Sequence, residues 1–191
     1  MSEDKSFDEP IIIWARMSRH IKELEYQFCM LKAFENNPDV TNNCHFAKFE
    51  SYIYKQMLIN LSCFWDNSEY RDSSNLSWNK MEKELKRKGK EPTLNERIYS
   101  LKCFSDTAIP RMVRNKLLAH HDLEYFYDEN IDLNKETVMK LALETVELYY
   151  DSLPIIFGGI NYRRPYTLEE QIDKYSEDLK HICERLGSFD E

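Results

Sequence analysis

The chain has 191 residues, a net charge of −8, 42% hydrophobic and 13% aromatic residues, and only 4 glycines and 6 prolines. That length suits one domain with terminal elaborations, and the poverty of turn formers excludes a β-rich fold with many tight turns. The acidic balance excludes a passive, purely electrostatic nucleic-acid coat, which would be basic overall, but leaves room for a small basic cleft. Five cysteines (Cys29, Cys44, Cys63, Cys103, Cys183) are scattered without CxxC spacing, which predicts reduced thiols and no zinc site. The apolar runs are too short to span a bilayer, and the N-terminus lacks a signal-peptide apolar run. The expected location is therefore the cytoplasm, without a membrane.

In chain order, the pattern is helical throughout. Ile13, Met17, Ile21, Leu24, Phe28 and Leu31 recur at three- and four-residue steps and predict a helix from about Pro10 to Phe34. Pro10 suits a first turn, and Asn36-Asn37-Pro38 ends the helix. A second helix, roughly Cys44 to Trp65, places Phe49, Ile53, Met57, Leu61 and Phe64 on one face. A polar stretch from Asp66 follows. A third helix, about Leu76 to Lys88, carries Leu76, Trp78, Met81 and Leu85 and stops at Gly89. Thr93 and Glu96 have capping-box spacing for a fourth, with Ile98, Leu101 and Phe104. Pro110 predicts a kink or a fresh start near Asp106 to Pro110. A short helix then carries Val113, Leu117 and Leu118 to about His121. A fifth long helix near Asn134 to Leu153 buries Val138, Leu141, Ala142, Thr145, Leu148 and Tyr149, and Pro154 is expected to end it. Thr167 and Glu170 make a second capping box, opening a last helix that ends at Gly187. Its apolar face is Leu168, Ile172, Tyr175, Leu179, Ile182 and Leu186.

Chemistry concentrates in Arg114-Asn-Lys-Leu-Leu-Ala-His120, followed by His121 and Asp122. Arginine offers a planar fork of donors matched to phosphate oxygens. Asparagine can hold a phosphate or a ribose hydroxyl without adding charge. Histidine exchanges a proton near neutral pH. Taken alone, Arg114 also reads as a solvated helix charge and His120 as a helix-end histidine. On a straight helix, residues six apart point about 120° away from each other. Arg114 and His120 would converge only if the helix breaks between them or if a site is assembled across a dimer.

In an all-helical chain, an Arg followed within a few residues by His, with Asn directly after the Arg, resembles the HEPN superfamily (higher eukaryotes and prokaryotes nucleotide-binding domain). Met57-Leu-Ile-Asn-Leu-Ser-Cys-Phe-Trp-Asp66, Leu76-Ser-Trp-Asn-Lys-Met81 and Ala119-His-His-Asp122 look like its abortive-infection U-type branch. The resemblance covers roughly residues 10 to 155. It implies an all-α, HEPN-like antiparallel helical bundle, residues 1–155, with an additional C-terminal turn and helix, residues 156–191, on the bundle or on a dimer partner. It further implies a homodimer acting as a metal-independent endoribonuclease of a toxin–antitoxin or phage-defence system, without cofactor, on an RNA substrate. The catalytic residues would be Arg114, Asn115 and His120, with His121, Asp66 and Asp122 as auxiliary candidates. A non-catalytic module that binds a nucleotide or a protein is the alternative. Such toxins are often paired with a nucleotidyltransferase-type antitoxin, which in some cases modifies a Tyr two residues after the motif His. Here that position is Asp122, which puts control by that modification in doubt.

Lys86, Arg87 and Lys88 belong to a basic run with Lys80, Lys83 and Lys90 that reads either as a guide for RNA or as a solvated helix end. Arg111 and Lys116 flank the motif and join them as candidate RNA contacts. Arg163 and Arg164 beside Tyr162 and Tyr166 suggest a stacking patch for bases or a partner contact. Asp178 and His181 have a di-metal spacing, but the glutamates such a site needs are not spaced on other helices, so no metal is expected.

Overall fold

A computed structural model describes residues 9–66, 69–70, 73–74, 77–87, 92–119, 133–158 and 164–187. Among them are eight helices: α1 (Glu9–Glu35), α2 (Pro38–Thr41), α3 (Cys44–Trp65), α4 (Trp78–Arg87), α5 (Pro92–Ala108), α6 (Arg111–Ala119), α7 (Lys135–Ile156) and α8 (Leu168–Gly187). Two short antiparallel strands, β1 (Glu69–Tyr70) and β2 (Ser73–Ser74), pair between α3 and α4. No helix among the described residues is long and apolar enough to cross a membrane.

α1 is the hub. Its stripe of Ile13, Met17, Ile21, Leu24, Phe28 and Leu31 is wholly buried, and α1 packs against α3, α7 and α8. α5 packs on α7, α6 on α3, and α4 on both α1 and α5. The expected faces of α3 and α7 are buried with one exception: Phe49 stays 42% exposed. Phe49 lies in the second turn of α3, and its ring meets that of Phe34 edge to face at 6.2 Å.

Local chemistry sets the ends. Asn43 caps α3, its side chain accepting from the His45 amide at 3.0 Å. Asn134 caps α7 through the Thr137 amide at 2.9 Å. Thr167 and Glu170 form a reciprocal capping box at α8, at 2.7 and 3.1 Å. α5 opens one residue before the expected cap, with Pro92 in its first turn, a position where a missing N–H costs nothing. Pro110 separates α5 from α6, and its carbonyl accepts the Val113 and Arg114 amides of the new helix at 2.8 and 3.1 Å.

Pro154 does not end its helix. α7 continues to Ile156 with Pro154 inside. The proline falls in the last turn, where few intrahelical bonds remain to be lost. Pro154 has no N–H for the Tyr150 carbonyl four residues back; the neighbouring Tyr149 carbonyl accepts from Ser152 Oγ at 2.7 Å and from Trp14 Nε1 at 3.4 Å. The Phe157 amide closes the helix on the Leu153 carbonyl, and Gly158, with φ of 72°, supplies the left-handed exit.

Two buried polar contacts fix the layers. Trp65 of α3 donates its indole N–H to Thr145 Oγ1 of α7 at 3.0 Å, and the Thr145 hydroxyl donates to the Leu141 carbonyl at 2.7 Å. Glu25 of α1, only 6% exposed, accepts from Tyr150 Oη at 2.7 Å and from Gln171 Nε2 at 3.0 Å. Arg164 Nε lies 3.9 Å from the same carboxylate and its guanidinium lies 4.0 Å over the Tyr150 ring. Glu25 thereby ties α8 and its leading turn to α1 and α7. Burial and the Glu25 carboxylate together push the neighbouring Cys29 thiol up to about 12.

Three outcomes follow from this packing. Thr145→Val leaves the Trp65 N–H buried without an acceptor and is expected to cost about 1–3 kcal/mol, read as a lower urea midpoint at unchanged m-value. Glu25→Ala is expected to cost about 2–3 kcal/mol by removing the acceptor of several donors, with hydrogen exchange accelerated first in 168–187. Cys29 keeps its proton far above neutral pH, so the native protein is expected to leave it unalkylated by iodoacetamide at pH 8, whereas the denatured chain reacts.

Candidate functional site

The site is built on the end of α3. A helix ends with carbonyls that have no intrahelical donor, and it carries partial negative charge there. α3 ends in extended backbone at Asp66 (φ −72°, ψ 142°), with no basic residue in its own last turn. Its terminal carbonyls must find donors on other elements.

Two helices supply them. Asn79 of α4 donates its side-chain amide to the Trp65 carbonyl at 3.4 Å and to the Asp66 carbonyl at 3.1 Å. Arg114 of α6 donates Nη1 to the same Trp65 carbonyl at 3.3 Å and to Ser105 Oγ at 3.1 Å. Its Nη2 is bonded to the Asp106 carboxylate. A cation at this end of a helix interacts favourably with its dipole. The Trp65 and Trp78 rings stack at 6.4 Å and 25° beneath this junction. The described parts of the three stretches Met57–Asp66, Leu76–Met81 and Arg114–His120 therefore meet at one end of the bundle.

Arg114 is only 3% exposed. Its charge is held inside the protein, with a carboxylate beside it. Three buried polar atoms of the junction have no hydrogen-bond partner among the described residues: Arg114 Nε, Trp78 Nε1 and Asn79 Oδ1. Asp66 is itself buried and is the C-cap residue of α3.

The other sequence candidates fall as follows. Asn115 and Arg111 are exposed on α6. Lys86 is exposed and paired with Glu82 at 2.6 Å. His120, His121, Asp122 and Lys88, with the side chains of Arg87 and Lys116, lie outside the described residues. α6 runs unbroken from Arg111 to Ala119, so no helix break brings Arg114 toward the end of the motif within that span. Arg164 of the expected stacking patch is held by Glu25 and Tyr150, while Tyr166 is 64% exposed. Tyr162 and Arg163 lie outside the described residues. No group of three His, Cys, Asp or Glu among the described residues is arranged to hold a metal ion.

Sequence reasoning missed Ser105, Asp106 and Asn79 as partners of this junction. Ser105 and Asp106 contact Arg114 across the chain reversal at Pro110, and no helical period connects positions on opposite sides of such a break. Comparisons with family models, with curated proteins and with solved structures found no match.

Arg114→Met is expected to lower stability by about 2–3 kcal/mol, because it withdraws a charged donor from buried acceptors. Asn115→Ala, on the exposed face, is expected to change it by less than about 0.5 kcal/mol. Paired denaturant titrations measure both.

Proposed function

We propose that the chain is a HEPN-like, homodimeric, metal-independent endoribonuclease of a toxin–antitoxin or phage-defence system, acting on RNA in the cytoplasm. The observation that supports this reading best is the convergence at the end of α3. The stretches that carry the resemblance lie far apart in the chain and meet in space, with Asn115 exposed beside the anchored Arg114. In this reading Arg114 stabilises the charge developing on the phosphorus, which is usually the larger catalytic term. Asn115 positions the phosphate. His120 moves protons, an effect worth roughly 10²–10⁴-fold. One imidazole cannot remove the 2′-hydroxyl proton and protonate the 5′-oxygen together. A two-fold dimer supplies a second copy, which fits an α6 unbroken to Ala119. A nucleotidyltransferase-type antitoxin is the partner class that accompanies this reading.

The second reading, a non-catalytic module that binds a nucleotide or a protein, is favoured by a specific observation. Arg114 is buried and already compensated by Asp106, as a purely structural clamp would be. Loss of function in an Arg114 variant therefore does not separate the two readings, because in both it also removes the clamp on the end of α3. His120→Ala does separate them. The purified protein and this variant are incubated with mixed single-stranded RNA and tRNA in EDTA, followed by end-group determination. The ribonuclease reading expects cleavage that survives EDTA, leaves cyclic phosphate ends and disappears in the variant. Intact RNA across all substrates, or equal cleavage by the variant, supports the module.

A further inference from the structure

A guanidinium carries five N–H donors. Both of those on Nη1 of Arg114 are engaged from within the fold, by the Trp65 carbonyl and the Ser105 hydroxyl. Nε and Nη2 lie side by side and form the fork that receives two oxygens of a carboxylate or a phosphate. Here the fork is half filled. Nη2 has Asp106, and Nε, shielded from solvent, has no acceptor among the described residues.

The occupant is unusual in its placement. Asp106 stands in the last turn of α5 (Pro92–Ala108), where the negative end of the helix disfavours a carboxylate. Its side chain is 55% exposed, whereas that of Arg114 is 4% exposed. The carboxylate thus reaches from solvent to a buried fork and marks an approach to it. Along α6, Arg111 and Asn115 lie one turn apart on one exposed face.

On the reading in which Arg114 holds the RNA phosphate, we infer that Asp106 is that phosphate's resident substitute on the Nε and Nη2 edge and is displaced when RNA binds. The inference rests on the ribonuclease reading only for the identity of the ligand. The exchange conserves charge, since one anion replaces another beside the same cation. It fills the unpaired Nε donor, and Asp106, already half in water, loses little on release. Asp106 then restrains the site, competing with every phosphate that approaches.

The test uses the full chain and a short single-stranded 2′-O-methyl oligoribonucleotide, which binds but cannot be cleaved. Dissociation constants are measured by fluorescence anisotropy at low salt. Asp106→Asn is expected to tighten binding about tenfold by removing the competitor from a charge-assisted fork. Glu96→Gln, an exposed residue on the same helix with the same change of charge, is expected to tighten it less than about twofold. In parallel, the Arg114 Nε–H resonance, assigned by through-bond NMR, is expected to shift as the oligonucleotide is added, without any variant of Arg114. Equal tightening by the two variants, or an Nε–H resonance that stays in place at saturation, overturns the inference. Tighter binding in Asp106→Asn with intact RNA in the cleavage assay removes the ribonuclease reading and keeps the phosphate seat. Cleavage without the tightening removes the seat alone.

Discussion

The structure turns on the C-terminus of α3. That helix ends among aromatic side chains, without a glycine cap and without a cation of its own, so its last carbonyls depend on donors from elsewhere. Asn79 and Arg114 meet that need, and in doing so they fix α4 and α6 against α3. Burying the guanidinium is costly on its own. The Trp65 carbonyl, the Ser105 hydroxyl and the Asp106 carboxylate together offset the cost. The position of α6 on the bundle is thus a consequence of how one helix is closed.

The same tryptophan carries the junction into the core. Trp65 gives its carbonyl to Arg114 and Asn79 and its indole N–H to Thr145 of α7. The site and the hydrophobic layer beneath it therefore share a side chain. At the other side of α1, Glu25 gathers Tyr150, Gln171 and Arg164 and holds the C-terminal helix. Arg164 is drawn into that polar knot. Arg164 is thereby committed to packing within the chain, whereas Tyr166 stays exposed.

Periodicity made much of this fold legible. The buried stripes of α1, α3 and α7 were readable because their apolar residues recur at helical steps, and the Thr167–Glu170 capping box because its chemistry is local. Pro110 announced the break between α5 and α6 for the same reason. Pro154 was misleading, since a proline's effect depends on how many bonds remain beyond it, and the end of α7 leaves few. Phe49 follows the apolar rhythm yet stays 42% exposed, because periodicity marks a face and not how deeply each position on it is covered. The short α2 and the two-residue strands are too brief to leave a repeating signal. The surroundings of Arg114 were the least legible. A solvated arginine and a buried capping arginine look alike in a sequence, and what distinguishes them is an uncapped carbonyl forty-nine positions away.

This gives Arg114 two faces with separate duties. Nη1 closes α3 from inside, and the Nε and Nη2 fork turns toward a half-exposed carboxylate that a phosphate can replace. A fixed fork is already oriented for an oxyanion, so little side-chain freedom is lost when one binds. The measurement that tests this account most directly is a crystal structure of the protein with a 2′-O-methyl dinucleotide. The account predicts Arg114 Nη1 still on the Trp65 carbonyl, with a phosphate oxygen on Nε and Asp106 turned into solvent. A dinucleotide bound away from α6, or an Arg114 that has left the end of α3, would contradict it.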